Sequence, residues 1–335
     1  MLTIPPNYRS PLSLRETQIA IKQLKDFYER ALAEALCLTR VSAPLFLLTD
    51  TGLNDDLNGR DRPVAFEIKA IPHREASIVQ SLAKWKRAAL ARYHFAPGEG
   101  LYTDMNAIRR DEDNLDNLHS VYVDQWDWEL IITKEQRTPE TLKEVVERIF
   151  GVFKRTEGYI RGLYPQLPAL LPEKVTFLSS QELLDIYPGL TAKEREDAAC
   201  RRYGALFLTQ IGHRLSDGEP HDDRAPDYDD WRLDGDLLFY YPVLGRAFEV
   251  TSMGIRVDAD SLREQCRLSG REDRLDQPYH RQVLAATVPY TIGGGLGQSR
   301  ICMFLLAKAH LGEVQASTWT EETARACEKA GIVLL

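Results

Sequence analysis

The chain has 335 residues, of which 44% are hydrophobic and 27% charged. That is a globular balance, long enough for a buried core, and it excludes a disordered polymer. Lys and Arg number 42 against 50 Asp and Glu, a net charge of −8, which disfavours a domain that lives on nucleic acid because phosphate neutralisation supplies most of that affinity.

In chain order, Leu14 to Leu36 runs without Gly or Pro and is apolar at Ile19, Ile21, Leu24, Phe27, Tyr28, Leu32 and Leu36, which predicts a helix. Residues 41–48 read as a strand, with Pro44 suited to an edge. Residues 64–71 alternate as a strand, and 78–93 read as a helix. Two strands, 101–108 and 120–132, flank a charged loop. Helices are expected over 139–163 and 193–203, and short strands over 174–178 and 205–211. An acidic loop, 217–236, precedes a hairpin of 237–241 and 247–253. Helices over 258–268 and 279–286 lead to a Gly-rich turn at Gly293 and a buried helix over 300–311. Strands cluster in runs separated by long helices, which predicts an α+β fold with a mostly antiparallel sheet flanked by helices.

No apolar stretch reaches the length of a membrane-spanning helix, and residues 1–6 (MLTIPP) lack the pattern of a secretory signal. The cysteines, Cys37, Cys200, Cys266, Cys302 and Cys327, are dispersed and odd in number, which reads as reduced thiols in a cytoplasmic protein. Leu2 stands where a processed N-terminal cysteine of the glutaminase type would need Cys.

Several segments can carry chemistry. Residues 291–300 (TIGGGLGQSR) match neither a P-loop nor a dinucleotide fingerprint. Their glycines let backbone amides approach an anion. Arg300 either grips a phosphate or an adenine face or pairs with a carboxylate at a packing turn, and the two readings stand level. Arg109 opens a charged loop that is either a phosphate clamp or a solvated hairpin tip. Gln125 and Asp127 share one face of their strand while Tyr122, Trp126 and Trp128 share the other. The polar face is either a ligand surface or, more ordinarily, the wet side of an edge strand. If residue 240 faces residue 249, Asp236 and Glu249 share a face, as a Mg²⁺ pair or as solvated acids. The acids of the loop, Asp217, Glu219, Asp222, Asp223, Asp227, Asp229, Asp230, Asp234 and Asp236, lack EF-hand spacing and are expected to be mostly solvated. Lys84, Lys86 and Arg87 either bind an anionic substrate or form a polar helix face around a buried Trp85. The histidines show no metal spacing.

Taken in order, residues 81–87 (SLAKWKR), 98–103 (GEGLYT), 119–128 (HSVYVDQWDW), 224–231 (RAPDYDDW), 252–260 (SMGIRVDAD) and 292–300 (IGGGLGQSR) resemble the ammonia-dependent asparagine synthetases, the aspartate–ammonia ligase family. The resemblance runs from about the first helix to the C-terminus. It implies a fold like the catalytic core of class II aminoacyl-tRNA synthetases, as a single catalytic domain over 1–335. A motif 1-like helix and strand in 1–50 would build a homodimer. A motif 2-like strand–loop–strand would lie in 101–132, and a motif 3-like turn and helix in 291–311.

The implied reaction is ATP-dependent amidation of L-aspartate by ammonia through β-aspartyl-adenylate, giving L-asparagine, AMP and pyrophosphate, with Mg²⁺ and without tRNA or membrane. The resemblance gives Arg109, Asp127, Asp229 and Arg300 catalytic roles, with Asp229 near the ammonia. Asp55, Ser81, Lys86, Gln125, Asp127 and Arg256 would bind aspartate. Arg109, Leu118, Asp236, Glu249, Thr251, Ser252, Gly294 and Arg300 would bind ATP or AMP, and Asp236 and Glu249 the metal. This chain departs from the family pattern at Gln80, where His is usual, at Thr251-Ser252, at Arg110 and in a short 231–236 loop. Two other readings are a paralogue that passes activated aspartate to tRNA or another acceptor, and a non-catalytic regulator on a synthetase core. The charge of −8 and the lack of an anticodon-binding domain before the first helix oppose the former. Intact Arg109, Asp236, Glu249 and Arg300 oppose the latter.

Overall fold

Helix α1 (Leu14–Leu36) starts at Ser13, whose side chain accepts from the Glu16 amide while Glu16 reaches back, a capping box that satisfies free N–H groups. Its buried residues, including Ala20, Leu24, Tyr28, Ala31 and Leu32, recur at helical spacing, and it stops at Cys37 with φ 56°. In this computed structural model, which describes residues 2–55, 57 and 61–335, that stripe packs on α3 (Pro139–Leu163). Tyr28 stacks on Trp126 at 4.9 Å and meets Phe153 edge-on at 5.2 Å.

Beneath these helices lies an eight-stranded sheet in the order β1 (Leu38–Arg40), β5 (Gly100–Ile108), β6 (Tyr122–Ile131), β11 (Thr291–Gly297), β10 (Arg246–Arg256), β9 (Asp229–Tyr241), β8 (Ala205–Thr209), β7 (Thr176–Ser179). Neighbours are antiparallel except the two edge pairs, β1 with β5 and β7 with β8. This is the antiparallel α+β architecture that the patterning predicts. A small antiparallel sheet holds β2 (Phe46–Leu48), β4 (Glu75–Ile78) and β3 (Ala65–Glu67). Helix α2 (Ala83–Arg92) packs on β5, β6 and β11. Helices α4 (Ser180–Ile186) and α5 (Ala192–Tyr203) pack beside β7 to β10. Helices α6 (Ala259–Leu268) and α7 (Pro278–Leu284) lead into β11, which feeds α8 (Gln298–Leu305), and α9 (Glu321–Lys329) follows near the C-terminus.

Five expectations are corrected. Residues 41–48 contribute a strand only over 46–48, and the neighbour of β5 is 38–40. Within 64–71 only 65–67 pair, and 75–78 form a strand before a helix that starts at 83. The Gly-rich turn is a strand, and its helix runs from Gln298 to Leu305. The second half of the acidic loop is a turn followed by the start of β9, and Asp227, Asp229, Asp230, Asp234 and Asp236 are buried, not solvated. The hairpin register also differs: Tyr240 faces Ala247 and Glu249 faces Leu238. That shift of two residues leaves Asp236 and Glu249 on one face.

Candidate active site

Trp126 and Trp128 of β6 enter the core under α1 and α3, so Gln125, Asp127 and Glu129 project to the opposite face. There Gly295 of β11 pairs with Asp127 and Gly293 with Glu129. A Cβ on Gly293 would lie 2.0 Å from Glu129 Oε2, and one on Gly295 would lie 2.4 Å from Gln125 Oε1. The glycines therefore make room for charged and polar side chains of the adjacent strand. They do not form a turn of amides around an anion.

A cavity of about 370 Å³ opens over these strands, within the range of small-molecule sites. At one end, Lys86 of α2 donates to Asp127, to the Trp128 carbonyl at 2.9 Å and to the Gly294 carbonyl at 3.3 Å. All three ammonium donors are thus committed. Arg256 of β10 grips Glu129 through Nε–Oε1 at 2.9 Å and Nη2–Oε2 at 2.7 Å, and donates to Asp229 through Nη1. Donors remain on its terminal nitrogens. Thr291 completes the Glu129 shell at 2.7 Å. Burial would raise the Glu129 carboxyl, but the Arg256 charge and hydrogen bonds, with Lys86 and Thr291, together outweigh it and hold it below the ordinary value. Burial wins at Asp229, whose carboxyl is raised. The Ser81 hydroxyl accepts from the Ala83 amide at 3.2 Å and keeps its own proton for the cavity.

The other end is cationic. Arg109 and Arg300 both line the cavity. Arg300 donates to the Glu249 carbonyl at 3.2 Å, with the Glu249 carboxylate at 3.7 Å. Arg109 is half-buried, and its buried Nε has no hydrogen-bond partner. Burial and then the Arg300 charge lower its pKa, so the pair lacks enough negative charge. Leu118, Thr251, Ser252, Glu249 and Gly294 also line this space.

Two expected site residues stand apart from the walls. Asp55 is buried with Lys84 at 4.0 Å, beside a network in which Asp227 meets Lys84 at 2.7 Å, His280 at 2.8 Å and Arg274 at 2.9 Å. Asp236 is held by Arg224 and lies behind the wall. Its Oδ1 has no partner, and burial, with the Glu249 charge adding, pushes its pKa up to about 6. An orphaned buried carboxylate oxygen beside a second carboxylate suits a divalent cation that keeps water and phosphate ligands. No cluster of three or more His, Cys, Asp or Glu able to hold a metal occurs among the described residues.

Residues not foreseen also belong here. Glu129 continues the every-second-residue pattern of Gln125 and Asp127, a signal present in the sequence. The sequence marks Gln80 as a departure from the family pattern, and the structure places it at the cavity wall. It is 1% exposed, lines the cavity, and both side-chain polar atoms lack partners. Lys84, Lys86 and Arg87 are all buried, and Trp85 only partly, the reverse of a polar helix face.

A family model for aspartate–ammonia ligase matches residues 15–331. An aspartate–ammonia ligase of Clostridium perfringens is 61% identical over 334 residues, covering 100% of this chain and 99% of that protein. One from Ruminiclostridium cellulolyticum is 60% identical over 331 residues, covering 99% and 98%. Among solved structures, the asparaginyl-tRNA synthetase of Pyrococcus horikoshii complexed with asparaginyl-adenylate superposes with TM-score 0.67 at 17% identity, covering 90% of this chain and 68% of that one. That likeness establishes a shared class II synthetase core fold. By the family match and by identity along its whole length, the chain belongs to the aspartate–ammonia ligase family.

Proposed function

We infer that the protein converts L-aspartate, ATP and ammonia to L-asparagine, AMP and pyrophosphate. The geometric observation that carries this reading is the half-buried Arg109, its Nε unpaired and short of counter-charge beside Arg300, at one end of a cavity whose other end holds a zwitterion-sized cage of fixed charges. The chain acts as one catalytic unit.

In the first step a side-chain carboxylate oxygen of aspartate attacks the α-phosphorus of ATP. The bond to the β-phosphate breaks and pyrophosphate leaves with the electron pair. Arg109 and Arg300 hold the phosphates and stabilise the charge that develops. Ser81 and the remaining Arg256 donors receive the substrate's carboxylates. Asp127 and Gln125 receive its ammonium group, and Lys86, fully engaged, holds Asp127 in place. Leu118 lies against the adenine, with Thr251, Ser252 and Gly294 beside the nucleotide. Asp55, in the Lys84 network, acts on the substrate only from behind the wall. Two reactants held in line gain most of their rate from positioning. In the second step ammonia attacks the acyl carbon, the carbon–oxygen bond to phosphate breaks, and AMP takes the electron pair. Asp229, its carboxyl raised by burial, accepts a proton from the nitrogen.

Asp236 and Glu249 would hold Mg²⁺, which when bound would supply positive charge to the phosphates. Large apolar side chains exposed on α1 and at the start of β2, Leu14, Ile19, Leu45 and Phe46, support a homodimer. The five cysteines are all free, four of them buried, which supports a reducing, cytoplasmic setting. No described helix is long and apolar enough to cross a membrane.

The test is a product assay with purified protein, aspartate, ATP and ammonium. Asparagine with AMP in equal amounts is expected. ADP in place of AMP, or asparagine from glutamine only, overturns the reading.

A further inference from the structure

Arg256 is shared by two carboxylates, and the shares are unequal. Glu129 of β6 takes the fork: Oε1 accepts from Nε at 2.9 Å and Oε2 from Nη2 at 2.7 Å. The Thr291 hydroxyl adds a hydrogen bond at 2.7 Å, and the Lys86 ammonium stands at 3.6 Å. Asp229 of β9 takes one hydrogen bond, from Nη1 at Oδ1, and its Oδ2 takes none from the described residues. Asp229 lines the cavity, whereas Glu129 is buried and stands outside the wall. The better satisfied acid is thus the one that does not meet the substrate.

Two glycines make room for this division. Gly293 pairs with Glu129 across β11 and β6, and a Cβ there would lie 2.0 Å from Glu129 Oε2 and 2.6 Å from Arg256 Nη2. At Gly254 a Cβ would lie 2.9 Å from Asp229 Oδ1. A guanidinium is a rigid plane. With its Nε–Nη2 edge on Glu129, Arg256 reaches Asp229 through Nη1 only. The two acids are accordingly set apart. Burial raises both, and at Glu129 the Arg256 fork, with Lys86 and Thr291, reverses it. At Asp229 burial prevails over Arg256, and the Glu129 charge adds to the rise. The other charged or titratable groups that act with Asp229 are Arg224 ahead of β9, Tyr228 next to it in the chain and Asp234 along the strand. Two carboxyls held so differently take different roles, one a permanent anion and the other a proton acceptor.

We propose that Glu129 is a positioning residue for the amidation step: by holding the Nε–Nη2 edge of Arg256, it limits Asp229 to a single hydrogen bond and keeps Asp229 ready to take a proton from the nucleophile. The proposal rests on the ligase reading, in which ammonia attacks the acyl carbon of the adenylate. As the carbon–nitrogen bond forms, the nitrogen becomes positive and its proton passes to Asp229. The electron pair of the broken carbon–oxygen bond leaves with AMP. An acceptor paired at both oxygens with a guanidinium would be a weak base, because the cation stabilises its anion. Glu129 prevents that pairing.

The experiment compares wild type, Glu129→Gln and Glu129→Asp, and reads the two steps apart. Aspartate-dependent pyrophosphate–ATP exchange without ammonium reports the first. Adenylate formed beforehand on the enzyme and then mixed with ammonium, over a range of pH, reports the second. Glutamine offers one acceptor to the fork, so Arg256 turns to Asp229, stabilises its anion and weakens it as a base. In Glu129→Gln amidation is expected to fall about tenfold or more, part of what a positioned base supplies, while exchange at saturating aspartate stays near wild type. The acid limb of the amidation profile is expected to move to lower pH, because Asp229 then gives up its proton at lower pH. Ammonium ionises alike in every sample, so the difference between profiles belongs to the enzyme. Glu129→Asp draws the carboxylate back by one methylene and is expected to show the same shift in smaller measure. If Glu129→Gln does not fold, Glu129→Asp decides. Exchange that falls in step with amidation, an unmoved profile, or loss of folding in both variants assigns Glu129 a structural role only and overturns the proposal. Wild type that exchanges but makes no asparagine with ammonium overturns the ligase reading itself, a distinct result.

Discussion

At the scale of single residues, the site is defined by groups whose polar needs are unmet. Arg109 is half-buried beside a like charge with no partner at its buried Nε, so it costs stability in the free protein and serves only when an anion arrives. Arg109→Ala is therefore expected to lose pyrophosphate–ATP exchange by about a hundredfold or more, the scale of removing one charge-stabilising donor, with no fall in Tm. A Tm drop of several degrees with exchange intact would show the residue to be structural. Gln80 makes a parallel case. Both ends of its buried amide are unpaired at the cavity wall, so Gln80→Ala removes a group that the empty protein does not need. Folding is expected to be unchanged, and the KM for aspartate to rise about fivefold or more, as one lost neutral hydrogen bond implies. Steady-state kinetics and a melting curve check both halves. The sequence made some of these groups legible. Strand periodicity put Gln125 and Asp127 on one face, and the same rule continued by one step reaches Glu129. Nothing local marks the isolation of Gln80 or Arg109, because an absent partner is a property of every element around the cavity.

At the scale of elements, β11 and β9 show why pattern reading faltered. Three successive glycines suggest a turn, and strand propensity opposes them. They form a strand because a side chain at Gly293 would occupy the space of the Glu129–Arg256 pair. Five aspartates within ten residues likewise suggest a solvated loop. In the fold each meets a compensating group: Lys84 at Asp227, Arg256 at Asp229, Arg137 at Asp230 and Arg224 at Asp234 and Asp236. All of these cations but Arg224 come from other segments, so the burial of β9 is largely a long-range fact that local composition hides. Long helices such as α1, with its cap, stripe and stop all within the segment, were readable. The consequence for β11 is specific. Gly293→Ala is expected to cost about 3 kcal/mol or more, because it separates a buried ion pair and strands its charges. Denaturant unfolding measures it, and a cost below about 1 kcal/mol would mean that Glu129 and Arg256 can shift freely.

At the scale of the whole molecule, two properties belong to no single element. The proposed association is the first. Leu14 and Ile19 are large apolar side chains exposed on α1, at 53% and 47%. Ile19→Glu is expected to shift the protein from dimer to monomer in sedimentation, and an unchanged mass would place the interface elsewhere. The second is the response to pH, set by carboxyls that burial disfavours as anions. Asp236 has a folded pKa of about 6 against an ordinary 3.8, and Asp229 and Asp234 are raised as well. A group raised in this way keeps its proton in the folded state after the unfolded chain has released it. Across that interval the folded state binds more protons, and the linkage relation makes stability fall as pH rises. For Asp236 the interval runs from 3.8 to about 6. The free protein should therefore lose stability over this range. Asp236→Asn should flatten the slope and raise stability at neutral pH, since it removes a reluctant anion while Glu249 remains. Mg²⁺ with ATP should oppose the same loss in wild type and do so less in Asp236→Asn, because cation binding stabilises the ionised carboxylate and releases its proton. Melting curves at several pH values, with and without nucleotide and metal, separate these effects. A wild-type stability that rises steadily from pH 4 to 6, unaltered by Asp236→Asn, would show that Asp236 is already ionised in the free protein and that its partner Arg224 alone balances it.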